Sequence, residues 1–185
     1  MSKLYTGTGD DGFTRRLGEG RLPKHHPVTE AIGTVDEASA AIGLARAASQ
    51  ADETGRLLLE IQRDLYNLMA EVAATHNTAA QFRVIDEDRV SWLEKQTDQI
   101  SGLIHLPNEF IVPGDTFSGA SMSIARTIVR RAERRIAQLL IEEEIQNLQL
   151  LRYLNRLSSL CFALEILENQ KSGKSDVTLA KMKKK

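Results

Sequence analysis

Cysteine, tryptophan and aromatic residues generally are what this 185-residue chain has least of: one Cys, one Trp and an aromatic share of 5%. A lone cysteine closes no internal disulfide. Cys161 lies between Leu160 and Phe162 and reads as a small core residue in a reducing compartment. The formal net charge is −1, so no bulk field draws a nucleic acid or an anionic membrane. No apolar run approaches the ~20 residues that span a bilayer, and the opening MSKLYTG has no signal-peptide hydrophobic region. These absences exclude a disulfide scaffold, a helical membrane anchor and a polycation, and they point to a cytoplasmic protein.

What is present suits helices. Hydrophobic residues make up 42% and charged residues 26%, the balance of a single globular domain rich in Ala, Leu, Ile, Glu and Arg. After Pro27, Val28, Ala31, Ile32, Val35, Ala38, Ile42 and Ala45 recur at three and four residues and predict a first helix of about five turns. A second follows Asp52, a third starts at Asp86 as N-cap, a fourth starts near Thr116 or Ser118, and a fifth runs from about Glu144 to Asn169. The expected fold is an all-α, up-and-down five-helix bundle over residues 1–170 in one domain. No strand is expected. Residues 171–185, KSGKSDVTLAKMKKK, carry no apolar face and are expected to form a disordered basic tail. The link from Ser101 to Phe117 is long for a helix connection and holds Pro107, Pro113 and Gly114; such loops are often functional.

Two segments could carry chemistry. Arg126, Arg130 and Arg134 stand at i, i+4 and i+8 on the fourth helix, beside Arg131, Glu133 and Arg135. Like charges at that spacing repel by only a few tenths of a kcal/mol per pair, so a solvated face tolerates them. A cluster of guanidinium forks in a neutral protein equally suits a multidentate anion such as a triphosphate. The segment Thr6-Gly7-Thr8-Gly9-Asp10-Asp11-Gly12-Phe13-Thr14 lacks both the P-loop and the dinucleotide pattern. Its glycine amides and threonine hydroxyls can surround phosphate oxygens, with an acid available for a cation; by the glycines alone it is equally a loose arm. His25-His26 is a surface loop rather than a metal site. No Ser–His–Asp or Cys–His arrangement can be assembled.

Taken together, TGTGDDGFT, EAIGTVDEASAAIGLA, ARTIVRRAERR and RYLNRLS, in that order from about Lys3 to Glu168, resemble the PduO-type ATP:cob(I)alamin adenosyltransferases. The resemblance implies a homotrimer of five-helix bundles with active sites between subunits, using ATP, cobalamin and Mg²⁺ and served by a flavin-dependent reductase. It implies that residues 1–27 wrap ATP through Thr6, Thr8, Gly9, Asp10, Gly12 and Lys24. Arg130, Glu133, Arg134 and Asn155 would complete the nucleotide site from the neighbouring subunit. Asp36 would pair with Arg126 across the interface, and Phe110 would close the lower face of the corrinoid. The chain departs from the family pattern at Gly7, Asp115, Ser159 and Glu165, and through Gly7, Asp115 and Glu165 the site is expected to be less positive than usual. These departures allow a second reading, an altered trimeric paralogue that binds nucleotide or corrinoid without transfer.

Overall fold

Four of the five long helices begin where a side chain takes over an amide that the first turn leaves free. The computed structural model describes residues 4–174 and 176–181. Its helices are α1 (Pro27–Ala48), α2 (Asp52–Ala73), α3 (Glu87–Ser101), α4 (Phe117–Ile141) and α5 (Leu148–Lys171). Asp86 caps α3 by accepting from the Arg89 amide at 2.8 Å, and Thr116 caps α4 by accepting from the Gly119 amide at 3.0 Å. Each such cap contributes about 1 kcal/mol. Asn147 caps α5 and also donates to Glu71 and to the Ile85 carbonyl, which fixes the start of α5 against α2. His26 caps α1, its Nδ1 accepting from the Val28 amide at 3.2 Å. The histidine pair is therefore a helix start, not a free loop.

The residues spaced at three and four positions do form the core. Val28, Ala31, Val35, Ala38, Ile42 and Ala45 of α1 are buried, as are Met122, Ala125, Val129, Ala132, Ile136 and Leu139 of α4. Helix α1 packs on α2 and α4, α4 on α5, and α5 on α3, so α4 lies between α1 and α5 with two faces covered. A buried polar knot ties α2, α3 and α5 together. Tyr153 of α5 donates to Asp64 of α2 at 2.5 Å, and Arg89 of α3 donates to the same carboxylate at 2.8 Å. Burial raises the Asp64 carboxyl above its ordinary range, against the bonds from Tyr153 and Arg89.

Three expectations are corrected. The amino-terminal segment holds a hairpin, β1 (Phe13–Arg15) and β2 (Arg21–Pro23), antiparallel with Thr14 opposite Leu22. Three-residue strands show too little alternation to be read beforehand. Helix α5 starts at Leu148 rather than Glu144, because Glu143 turns with φ 58° and Asn147 caps four residues later. The third concerns the tail. Residues 176–181 run against the α3–α4 loop, with Leu179 bridging Ile111 in antiparallel fashion. Ser175 and residues 182–185, also expected to belong to the disordered tail, lie outside the described residues.

Helices α4 and α5 are in close contact where this loop ends. A side chain at Gly119 would come within 2.8 Å of Asn169 Cγ, and Asn169 itself accepts from Thr116 Oγ1 at 2.7 Å. Only glycine permits that approach. The N-terminus of α4, and with it the loop bearing Phe110, is thereby pinned to the end of α5.

Candidate active site

The amino-terminal turn is organised by one guanidinium. Arg21 on β2 makes a fork to Asp11 at 2.8 and 2.7 Å and also donates to the Thr8 carbonyl at 3.1 Å. It stands 5.6 Å from the centre of the Phe13 ring. Its bond, followed by that from the Phe13 amide, holds the Asp11 carboxyl below the usual range. Within the turn so held, Thr6 and Thr8 share a hydroxyl hydrogen bond of 2.7 Å, and both residues are exposed. Gly7 has φ 70° and Gly12 φ 82°, conformations that other residues adopt only under strain. The glycine at position 7, a departure from the family pattern, is thus what this turn requires. Lys24 lies over Gly9, its ammonium 3.0 Å from where a Cβ would stand. Asp10 is exposed and has no hydrogen bond or ion pair through its carboxylate among the described residues. A groove of about 370 Å³ runs beside Lys24, lined by Thr14, Glu30, Gly33 and Glu37.

The arginine stripe faces elsewhere. Arg126 and Arg130 line a cleft of about 610 Å³ between α4, α5 and the α3–α4 loop, together with Leu106, Phe110, Ser159 and Phe162. Phe110 is 88% exposed and is therefore not a packing anchor. Arg134 is exposed, and its Nη1 donates to the Arg130 carbonyl at 3.0 Å. Glu133 and Asn155, placed together by the resemblance, are in contact: Asn155 Nδ2 donates to Glu133 Oε1 at 2.7 Å. Arg156 continues the chain, donating to Asn155 Oδ1 at 2.9 Å and to Glu94 at 2.8 Å. On the side of α4 toward α1, Arg131 pairs with Glu37.

The structure thus gathers the expected residues into two groups. Phe110, Arg126 and Arg130 share a cleft, with Glu133, Arg134 and Asn155 along the same helices. Thr6, Thr8, Gly9, Asp10, Gly12 and Lys24 sit on the hairpin turn. Among the described residues no hydrogen bond, ion pair or pocket lining joins one group to the other. Asp36 is exposed on α1, and no ion pair links it to Arg126 within the chain.

The structure places two of the departures. Asp115 stays charged but is bonded to the C-terminal segment and does not line the cleft: its carboxylate accepts from both the amide and the hydroxyl of Thr178, at 2.9 and 2.6 Å. Glu165 is buried, and among the described residues neither of its oxygens nor Arg126 Nε finds a hydrogen-bond partner of good geometry. Burial raises the Glu165 carboxyl, against the pull of the Arg126 charge. The sequence reading missed Arg21, Arg156 and the Arg131–Glu37 pair. For Arg21 the available signal was a cation ten residues after Asp11, with Gly18 and Gly20 to turn the chain.

With this geometry in place, comparison with known proteins is specific. The family model for cobalamin adenosyltransferases matches residues 4–168. The chain is 39% identical to the corrinoid adenosyltransferase of Bacillus subtilis, over 95% of this chain and 91% of that protein. It is 37% identical to the corrinoid adenosyltransferase PduO of Salmonella typhimurium over 94% of its own length and 52% of the relative's. It spans about half the length of that PduO protein and of its Citrobacter freundii counterpart. Among solved structures, a variant of the PduO-type ATP:corrinoid adenosyltransferase of Lactobacillus reuteri, complexed with cobalamin and ATP, superposes with a TM-score of 0.89 at 32% identity. That match covers 97% of this chain and all of the other. No described helix is long and apolar enough to cross a membrane. On the family match and these relatives together, the chain belongs to the cobalamin adenosyltransferase family.

Proposed function

We propose that this protein transfers the 5′-deoxyadenosyl group of ATP to the cobalt of cob(I)alamin, giving adenosylcobalamin and triphosphate. The observation that carries the reading is the cleft in which exposed Phe110 stands with Arg126 and Arg130. An apolar ring suits the face of a corrinoid, and guanidinium groups suit a polyphosphate. Phe110 beneath the ring keeps an axial donor from cobalt, so that four-coordinate Co(II) accepts an electron from a flavin-dependent reductase. The Co(I) lone pair attacks C5′ of ATP, the C5′–O bond breaks, and the electron pair leaves with triphosphate. Arg130 and Arg134 stabilise the charge that grows on that leaving group. Asn155 orients Glu133 beside them. No general base is required.

The turn residues Thr6, Thr8, Gly9, Gly12 and Lys24 bind the phosphates of the same ATP. Their separation from the arginine stripe within one chain favours a homotrimer, in which the turn of one subunit meets α4 and α5 of the next. Asp36 and Arg126, unpaired among the described residues, then face each other across the interface. Mg²⁺ fits this arrangement as a companion of ATP. The described residues contain no cluster of three carboxylate, His or Cys ligands, and Mg²⁺ bound with a triphosphate needs only one or two carboxylates. Asp10 is the carboxylate on the turn left without a partner among the described residues. When bound, Mg²⁺ would supply neutralising charge to the triphosphate.

An anaerobic assay of adenosylcobalamin formation from chemically reduced cob(I)alamin and ATP tests the activity, with light scattering for the trimer. Substrate binding without product would leave only the binding-module reading. A monomer at micromolar concentration would remove the intersubunit site.

A further inference from the structure

The loop that carries Phe110 is held from outside itself. Between Ile104 and Asp115, every hydrogen bond among the described residues is made with the C-terminal segment. The Val112 amide donates to the Thr178 carbonyl at 2.8 Å, and the Ala180 amide donates to the Phe110 carbonyl at 2.7 Å. Ile111 and Leu179 face each other in the bridge these bonds frame. Asp115 closes the arrangement, one carboxylate oxygen on the Thr178 amide and the other on its hydroxyl. Two of the four bonds are charge-assisted and so roughly twice as strong as neutral ones.

This arrangement bears on the cleft. An exposed ring cannot be located by core packing, so its position depends on the backbone that carries it. Here the carbonyl of Phe110 itself is one of the bonded groups. The other end of the loop is fixed to Asn169 through Thr116, only one residue after Asp115. The loop is thus tied at Phe110, Val112, Asp115 and Thr116, and three of those four ties are to the C-terminal segment.

We propose that the segment Asp176–Lys181 is a strap that sets the position of Phe110, with Asp115 and Thr178 as positioning residues for the reaction. The role in the reaction rests on the adenosyltransferase reading; the strap itself does not. Asp115, which by sequence looks like a misplaced charge beside the cleft, is on this account the residue that makes the strap hold.

The test uses three full-length variants. Thr178→Val keeps the β-branched shape and the amide but loses the hydroxyl donor. Asp115→Asn keeps the size and loses the charge, and Thr178→Ser keeps the donor. Hydrogen exchange at the Val112 and Ala180 amides should accelerate about tenfold in Thr178→Val and Asp115→Asn and stay at the parental rate in Thr178→Ser. In the same two variants kcat and the four-coordinate Co(II) signal should fall severalfold, while KM for ATP and the thermal midpoint stay put. Unchanged exchange in both variants would show that the strap does not hold the loop. Faster exchange with parental kcat and cobalt signal would leave a strap with no positioning role. A parent protein that transfers nothing would sink the functional reading and the positioning role with it, and exchange alone would then decide whether the strap exists.

Discussion

The two ends of the chain look alike as sequence and behave differently as structure. Both are short, polar and without helical period. The amino-terminal turn is tied to itself, Arg21 reaching ten residues back to Asp11 and to the Thr8 carbonyl, while Arg16 and Leu17 behind it anchor the hairpin to Ala73, Ala74 and Thr75 after α2. Its outer surface, the hydroxyls of Thr6 and Thr8 and the backbone around Gly9, stays exposed for a ligand. The carboxy-terminal end is tied across 63 residues to Asp115, so its bonds organise another segment. A turn knotted on itself can present groups to a ligand. A segment bonded to a distant loop supports that loop.

The largest effects are expected where neither end is involved. Arg130→Ala and Asn155→Ala should each reduce kcat by about 10²-fold or more, the scale seen when a group stabilising transition-state charge is removed. Both residues are exposed, so unfolding free energy should change by no more than about 0.5 kcal/mol. Steady-state rates beside a denaturant titration check this. Parental turnover in both variants would mean that α4 and α5 do not form the nucleotide site.

Phe110→Ala comes next and bears on what the carboxy-terminal end supports. Large-to-small changes at a buried Phe cost about 3–5 kcal/mol, but Phe110 is 88% exposed, so stability should hardly move. ATP affinity should hold while the four-coordinate Co(II) population falls, and a tenfold loss of rate would correspond to about 1.4 kcal/mol. Phe110→Trp should keep part of the activity. Magnetic circular dichroism of the ATP-bound protein reads the population directly, and a parental signal in Phe110→Ala would make the ring dispensable.

Arg21→Ala addresses the amino-terminal end and should be milder. An exposed ion pair contributes little to stability, so KM for ATP should rise by no more than about fivefold with kcat nearly unchanged. A large fall in kcat would place Arg21 in the chemistry instead of the scaffold.

The contrast between the ends also shows what the sequence could and could not disclose. The helices were legible because burial repeats every three to four residues, and Asp86 and Thr116 stand at the caps that their side chains can fill. Phe110, Glu133 and Asn155 were singled out only through the family resemblance, and the last two do touch. The hairpin was not, since two three-residue strands give almost no alternation. Neither was the strap: a bond between Asp115 and Thr178 has no local signature, so Asp115 could only be read as a charge. The Arg131–Glu37 pair, 94 residues apart, was hidden for the same reason.

The smallest expected effect separates both ends from the bundle by pH. Thr178's side chain and then its amide hold the Asp115 carboxyl below its ordinary 3.8, and Arg21 followed by the Phe13 amide does the same for Asp11. A carboxyl lowered in the folded state adds stability that is present above 3.8 and is lost as pH falls through the lowered value. Asp64 is shifted the other way, raised chiefly by burial. Its linkage therefore favours the folded bundle on the acid side and weakens as pH rises through the raised value. Acidification below 3.8 should loosen the two ends while this group does nothing to open the core. The amides of Thr178 and Phe13, which donate to Asp115 and Asp11, report the two carboxylates in an NMR titration, and far-UV circular dichroism reports the helices. Both amide resonances should shift with midpoints below 3.8 while the helical signal persists. Midpoints at or above 3.8, or shifts that coincide with loss of helix, would show that the ends have no acid transition of their own.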